Sequence, residues 1–524
     1  MKVSSLRKIR IVFSLIMFSV FLVLFLDLRN LLPSNFYSVV LFSQFIPSFL
    51  SFITAAGWAA IGFIVVMVLT LLFGRVYCSF LCPLGVLQDL ISRVANWFRT
   101  NKKRKKRVAY YRSWAILHYS ILVLIVIAFI AGFVSPMGWL DPYSIFGRFM
   151  AHIVRPIVIQ ANNFLVYILE ALSVYHFKPL ELKVISWFSV GVATGLILLV
   201  SILAAFRGRE YCNTVCPVGA VLRLTSIISI YKLKLHENKC NSCGLCASAC
   251  KAGCINSNTK SLDFERCIAC YNCITACKSG GVGFENVLRK EKTSSYNPAR
   301  RSFLAGSAVA LLGGGSTLTL LAQDEQRGQN TTRPEEKEFA VSPPGSLSID
   351  HFISKCTACH LCVSVCPKQV LQPSLLEYGL KGFLQPRMDF HTSYCNFDCV
   401  KCGEVCPTGA ILPLTIEEKH LTQTGKAWFI RRNCIVRTDH TDCGACSEHC
   451  PTKAVQMVPW RHRLLIPKVN QDICIGCGAC EYACPTSPYK AIYVDGNAVH
   501  KKADPPTINE EPASQASAAD DFPF

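Results

Sequence analysis

The spacing of its cysteines constrains this chain more than any other feature. Of 29 cysteines, 24 fall into six runs of four. Cys240, Cys243, Cys246 and Cys250 form the first run and Cys267, Cys270, Cys273 and Cys277 the second, both spaced C-x2-C-x2-C-x3-C. Further along come Cys356, Cys359, Cys362, Cys366; Cys395, Cys399, Cys402, Cys406; Cys434, Cys443, Cys446, Cys450; and Cys474, Cys477, Cys480, Cys484. Proline follows each of these last four runs, at Pro367, Pro407, Pro451 and Pro485, whereas Lys251 and Lys278 stand there in the first two. A loop of this spacing offers three thiolates to one cubane iron–sulfur cluster, and its fourth cysteine reaches a neighbouring cluster. The cysteines therefore read as ligands of six 4Fe-4S clusters and not as a disulfide framework. In the first pair this exchange gives Cys240, Cys243, Cys246 with Cys277, and Cys267, Cys270, Cys273 with Cys250. Cys254 is left over and is expected to be a nonligand packed against a cluster loop.

The other constraint is apolarity. At 51% hydrophobic residues and a mean hydropathy of +0.33, the 524-residue chain is too apolar to be wholly soluble and too long for one core. Apolar runs at 9–28, 55–73, 114–133 and 185–206 approach the roughly 20 residues that cross a bilayer, and predict four spans. Residues 35–52 are apolar but short and interrupted by Pro47, which predicts a re-entrant or interfacial segment. The net charge of +20 lies largely beside these runs, as in the KKRKKR sequence at 102–107, so a membrane surface and not a nucleic acid is expected to meet it. Lys2, Arg7, Lys8 and Arg10 precede the first span, Arg75 follows the second, and Arg207 and Arg209 follow the fourth, while the first connection holds only Arg29. The positive-inside bias puts the N-terminus and the basic segments in the cytoplasm. His118, an ionisable residue within a span, is either a quinol-binding group or a hydrogen-bonded packing histidine.

Residues 297–322 join Arg300 and Arg301 to Ser302, Phe303, Leu304 and a Gly-rich apolar run. The stretch resembles a twin-arginine export signal, or else the arginines flank an ordinary helix on its cytoplasmic side. Both readings leave the run in the membrane, and without an A-x-A cleavage site it is expected to stay as an anchor. Directly after the second and fourth spans stand Tyr77-Cys78-Ser79-Phe80-Leu81-Cys82-Pro83-Leu84-Gly85 and Tyr211-Cys212-Asn213-Thr214-Val215-Cys216-Pro217-Val218-Gly219. This repeat predicts an internal duplication that gathers Cys78, Cys82, Cys212 and Cys216 at one membrane face. Four thiols there hold a metal or cluster, or cycle between dithiol and disulfide beside a quinol; plain packing of small apolar side chains is the third reading.

The expected domains are a helical membrane domain at 1–230, a two-cluster domain at 231–290, the signal or anchor helix at 297–322, a linker at 323–346, a four-cluster polyferredoxin at 347–500 and a disordered tail at 501–524. The fold class is α-helical membrane domain, four to five spans, plus α+β ferredoxin-like domains. His360 and His449 adjoin ligand runs that already have four thiolates, so they are expected to tune a cluster or lie at the surface. No nucleotide fingerprint opens a helix and no Ser/His/Asp arrangement stands out, so the chain offers electron carriers without a substrate site of its own.

Spans bearing two C-x3-C-P motifs followed by two cluster runs resemble the membrane ferredoxin of periplasmic nitrate reductase systems, the NapH type. An arginine pair followed by four runs resembles that system's exported partner, the NapG type, and the chain resembles the two fused end to end. The resemblance implies a quinol dehydrogenase module in a bacterial inner membrane, taking electrons from menaquinol or ubiquinol to a periplasmic reductase or cytochrome. It implies a cytoplasmic first cluster pair and a periplasmic polyferredoxin. Relatives with the same motifs serve nitrous oxide reduction, methylamine oxidation and oxidase assembly, so the alternative is a maturation factor delivering electrons to metal or disulfide centres of another enzyme. By analogy with polyferredoxins of this layout, the first exported run pairs with the fourth and the second with the third. Cys484 then completes Cys356, Cys359 and Cys362; Cys366 completes Cys474, Cys477 and Cys480; Cys450 completes Cys395, Cys399 and Cys402; and Cys406 completes Cys434, Cys443 and Cys446.

Overall fold

The structure, a computed structural model, describes residues 3–53, 59–98, 110, 114–173, 175, 178–182, 186–287 and 334–505. The basic run at 102–107, the arginine pair with the run at 297–322, and the tail beyond 505 lie outside the described residues. Helix α1 (Val3–Phe25) is followed by α2 (Ser34–Phe42) and α3 (Phe45–Ile53), which meet at 96°. The bend falls where Pro47, at the start of α3, has no N–H to extend the α2 ladder, as expected for a re-entrant segment. Next come α4 (Ala59–Phe73), α5 (Tyr77–Phe80), α6 (Pro83–Phe98), α7 (Ala115–Ile130), α8 (Ser135–Leu140) and α9 (Pro142–Phe149). A π turn at Met150–Val154 leads from α9 into α10 (Arg155–Ala171), and α11 (Trp187–Arg207), α12 (Glu210–Thr214) and α13 (Pro217–Ser226) complete the helical half.

Among the described residues three stretches are long and apolar enough to cross a membrane: Ser5–Phe25, Pro142–Ala171 and Trp187–Arg207, or up to four if the bent α2–α3 pair counts as one. Of the expected spans at 55–73 and 114–133, the first is described as helix from Ala59 to Phe73, where the described residues resume, and the second is a helix of 16 residues, shorter than a full crossing. The 30-residue stretch Pro142–Ala171 was not foreseen, because Arg148, His152, Arg155, Asn162 and Asn163 interrupt its apolar pattern. Pro156 lacks the N–H that would bond the carbonyl of His152, and the helix widens into the π turn just before it.

Two ferredoxin-type regions pack on opposite ends of α1. In the first, strands Tyr231–Leu235 and Val282–Asn286 pair antiparallel, Tyr231 opposite Asn286, and the short helices Leu245–Ala249 and Asn272–Ala276 contact each other. It meets the start of α1 through Arg7, which donates to Thr275 at 3.3 Å, and the end of α4 through Ile230, whose N–H donates to the Leu71 carbonyl at 2.8 Å. The C-terminal region pairs Thr422–Phe429 with Ile492–Lys502 and Val455–Pro459 with Leu465–Val469. It meets α1 through the short helix Leu361–Val365, and the end of α3, where Ser51 donates to the Pro407 carbonyl at 3.2 Å. The helix that joins them is 21 residues long from Ser5 to Phe25, about 30 Å at 1.5 Å per residue.

Candidate functional site

The two C-x3-C-P motifs fold alike and interlock. Cys82 and Cys216 each stand just before a helix that begins with proline, Pro83 in α6 and Pro217 in α13, positions whose missing N–H leaves no helical bond unmade. Each sulfur accepts the N–H of the motif glycine, Gly85 or Gly219, at 3.3 Å, so both thiols face a helix N-terminus where negative charge is stabilised. Two arginines cross between the repeats. Arg75 donates to the Cys212 carbonyl at 2.7 Å and to Asn213 at 2.6 Å, and Arg209 donates to the Cys78 carbonyl at 2.8 Å. A Cβ on Gly85 would lie 2.3 Å from Arg209 Nη1, and one on Gly219 3.0 Å from Arg75 Nη2, so the motif glycines make room for the crossing guanidinium groups. Tyr77 donates to Gln44 at 3.1 Å and Tyr211 to the Leu140 carbonyl at 2.6 Å.

Cys78, Cys82, Cys212 and Cys216 thus converge as expected, each at most 4% exposed. Among the described residues the four thiols lie enclosed within the helical packing. Burial pushes the Cys82 and Cys216 thiols well up. A metal bound there would displace the thiol protons, and the two guanidinium groups would offset thiolate charge; dithiol cycling is the other chemistry the four thiols allow. Arg75 and Arg209, read from sequence as topology markers, are part of this site; the signal was the arginine two places before tyrosine in both repeats. His118 donates from Nε2 to the Cys216 carbonyl at 2.9 Å, which fixes α7 on the second motif.

Asp89 on α6 ties the repeat to the first cluster region. It pairs with Arg10 at 3.4 Å, Arg209 at 2.9 Å and Lys251 at 2.6 Å. Burial raises its carboxyl, but Arg209 and Lys251 overcome that and hold it well below the usual carboxylate range. Lys251 replaces the proline expected after Cys250, and its backbone carbonyl also accepts from the Arg209 N–H at 3.1 Å.

In the first cluster region Cys277 and Cys240 lie beside Cys246, and Cys250 beside Cys267, Cys270 and Cys273, the exchange expected from the spacing. Cys254 is buried with its sulfur 3.4 Å from that of Cys250. The C-terminal region departs from the expected pairing. Cys406 joins Cys356, Cys359 and Cys362, and Cys366 joins Cys395, Cys399 and Cys402. Cys484 joins Cys434, Cys443 and Cys446, and Cys450 joins Cys474, Cys477 and Cys480. The first run therefore pairs with the second and the third with the fourth. The reason is local: helix Leu361–Val365 packs on Lys401–Glu404 and Ala445–Glu448 on Ala479–Ala483, so each pair closes as its own unit. The units meet where the Cys395 N–H donates to the Cys477 carbonyl at 2.9 Å. Small cavities bordered by Cys366, Cys395, Cys399 and Cys402, and by Cys434, Cys443, Cys446 and Cys484, fit cubane clusters by their four-thiol donor sets.

The set of Cys356, Cys359, Cys362 and Cys406 abuts α9. A Cβ on Gly147 would lie 2.3 Å from the Cys359 carbonyl, and only glycine permits that approach. Tyr143 stands within electrostatic reach of Cys359, Cys406 and Cys362, and its buried hydroxyl has no protein partner; Arg148 Nη1 is likewise buried and unpaired. Such orphaned donors beside a thiol set are what a cluster's sulfurs would satisfy. His152 in the π turn donates from Nε2 to Nδ1 of His360 at 2.6 Å, while His360 Nε2 donates to the Leu384 carbonyl at 2.7 Å. His360 is thus a buried link between the two halves, and His449 is a surface residue bonded to the Ala445 carbonyl.

Paired four-thiol sets on ferredoxin-type folds, packed against apolar helices, define an iron–sulfur electron-transfer protein. Residues 55–105 and 187–234, which contain both C-x3-C-P motifs, match a family described as 4Fe-4S binding domain, as do residues 237–253. Residues 263–370, 355–411 and 441–487 match families described as 4Fe-4S dicluster domain, the last two covering the paired runs seen in the structure. The methylamine utilization ferredoxin-type protein MauM of Methylorubrum extorquens is 33% identical over 188 residues, 34% of this chain and 81% of MauM. MauN of Paracoccus denitrificans, also a methylamine utilization ferredoxin-type protein, is 25% identical over 209 residues, 37% of this chain and 56% of MauN. The ferredoxin-type protein NapF of Escherichia coli is 28% identical over 151 residues, 29% of this chain and 84% of NapF. The chain spans about half the length of the first curated relatives it matches, and no solved structure matches it. The chain belongs to the 4Fe-4S ferredoxin-type proteins.

Proposed function

We propose that the chain is a membrane-anchored quinol dehydrogenase module that draws electrons from menaquinol or ubiquinol and delivers them to a periplasmic reductase or cytochrome. In this reading it sits in a bacterial inner membrane, with the first cluster pair cytoplasmic, the C-terminal region periplasmic and 297–322 as the connecting anchor. One observation carries it: the C-x3-C-P site bonds the first cluster region directly and, on its other side, bonds α8, which leads into the helix that packs on the second. On one side Arg209 bonds Lys251, the neighbour of Cys250. On the other Tyr211 bonds Leu140, three residues before Tyr143, which faces the Cys359 set. Bound 4Fe-4S clusters supply one-electron transfer at the six C-x2-C-type sets, and we read Cys78, Cys82, Cys212 and Cys216 as ligands of a seventh centre. Arg75 and Arg209 offset the negative charge there, the α6 and α13 N-termini stabilise Cys82 and Cys216, and Asp89 holds Arg209 in place. Anaerobic addition of a menaquinol analogue to the purified holoprotein is expected to bleach its broad visible absorption. Bleaching by dithionite but not by quinol would overturn the reading.

A further inference from the structure

A cleft of about 630 Å3 opens between α2–α3 and the loop that ends the second C-terminal run. Leu41 and Phe42 form one wall, Val405 and Cys406 the other, and Asn35 and Ser38 supply polar groups at its rim. We propose that this cleft is a binding site for the ring of an isoprenoid quinone or quinol, an inference that rests on the quinol dehydrogenase reading above. Three observations point to that occupant. The volume lies within the roughly 300–1,000 Å3 of small-molecule sites, and an apolar cavity with a few polar groups at one edge suits a ring bearing two oxygens. The α2–α3 pair is the bent, apolar segment, and Val39 on α2 and Ile53 at the end of α3 are exposed, so the cleft adjoins the surface that lipid would cover and a long apolar tail has somewhere to lie. Cys406, a member of the thiol set that packs on α9, lines the cleft, so an occupant there lies beside a residue of that set. The four C-x3-C-P thiols, by contrast, lie enclosed within the helical packing of the described residues. Asn35 and Ser38, a helical turn apart on α2, would hydrogen-bond the ring oxygens.

Photolabelling of the holoprotein with an azidoquinone tests the site. Label is expected on peptides containing Asn35–Phe42 or Glu404–Pro407. Ser38→Trp, at an exposed position, fills the cleft and is expected to cut labelling by about tenfold while iron content stays at the wild-type value; Val123→Trp on the apolar face of α7 serves as a control that leaves labelling unchanged. Label on α7 or α13 instead, undiminished labelling in Ser38→Trp, or equal displacement by phospholipid alone would overturn the site, the last marking it as a lipid seat. Quinol bleaching that survives in Ser38→Trp would remove the site and leave the quinol dehydrogenase reading standing. Specific cleft labelling without any quinol bleaching would leave a quinone site and remove that reading.

Discussion

Tyr143→Phe removes a single oxygen at the junction of the two halves. The hydroxyl is fully buried, packs with its ring against Phe21 and Phe25, and has no protein partner, while Cys359, Cys406 and Cys362 are the thiols around it. A donor in that position stabilises the more negative, reduced state of a cluster. A hydrogen bond to a charged group is worth roughly 1.5–3 kcal/mol. Taking about a third of that as the difference between oxidation states gives ~0.5–1 kcal/mol, which for a one-electron couple at about 59 mV per tenfold corresponds to a fall of about 20–40 mV. Potentiometric titration monitored by electron paramagnetic resonance should show one cluster moving down by this amount and the others unmoved. A potential that stays put, or rises, would refute the placement of the hydroxyl against the first C-terminal set.

Asp89→Asn leaves Arg209, Arg10 and Lys251 without their shared carboxylate; breaking a buried ion pair by removing one partner costs about 3–5 kcal/mol, so the detergent-solubilised protein should melt earlier. Since the folded Asp89 carboxyl is held below its unfolded value of roughly 4, its contribution is present above that pH and is lost as pH falls through the folded value. Melting curves of the wild type should therefore show an acid-side loss that Asp89→Asn lacks. Cys366→Ser should perturb the cluster of Cys395, Cys399 and Cys402 and spare that of Cys474, Cys477 and Cys480; the opposite pattern in Mössbauer or resonance spectra would restore the pairing of first run with fourth. Gly147→Ala should loosen the contact with the Cys359 carbonyl, read as faster proteolytic release of the C-terminal region, with unchanged release counting against that contact.

Thiol spacing made the cluster runs legible because three ligands in a tight loop are a local property, and the exchange in the first pair followed from the same rule. The exchange among the last four runs was not legible, since it depends on which short helices pack together: Leu361–Val365 chooses Lys401–Glu404 across a loop that the spacing does not describe. The C-x3-C-P duplication was visible, yet its arginines were assigned to topology because a charge beside an apolar run has that common explanation; only the fold shows Arg75 and Arg209 exchanging repeats. Hydropathy found α1 and α11 but missed Pro142–Ala171, whose polar residues serve the contact with the C-terminal region, His152 on His360 among them. Pro47 marked the bent α2–α3 pair correctly, while the cleft beside it draws on residues from both ends of the chain and has no signature in either.

If the four interlocked C-x3-C-P thiols hold a seventh centre, the iron content per polypeptide shows it. At four irons per cubane, the anaerobically purified holoprotein should hold about 28 iron atoms, and Cys82→Ala or Cys216→Ala, folded and membrane-bound, about 24. A wild-type value of about 24 that neither substitution lowers would contradict it.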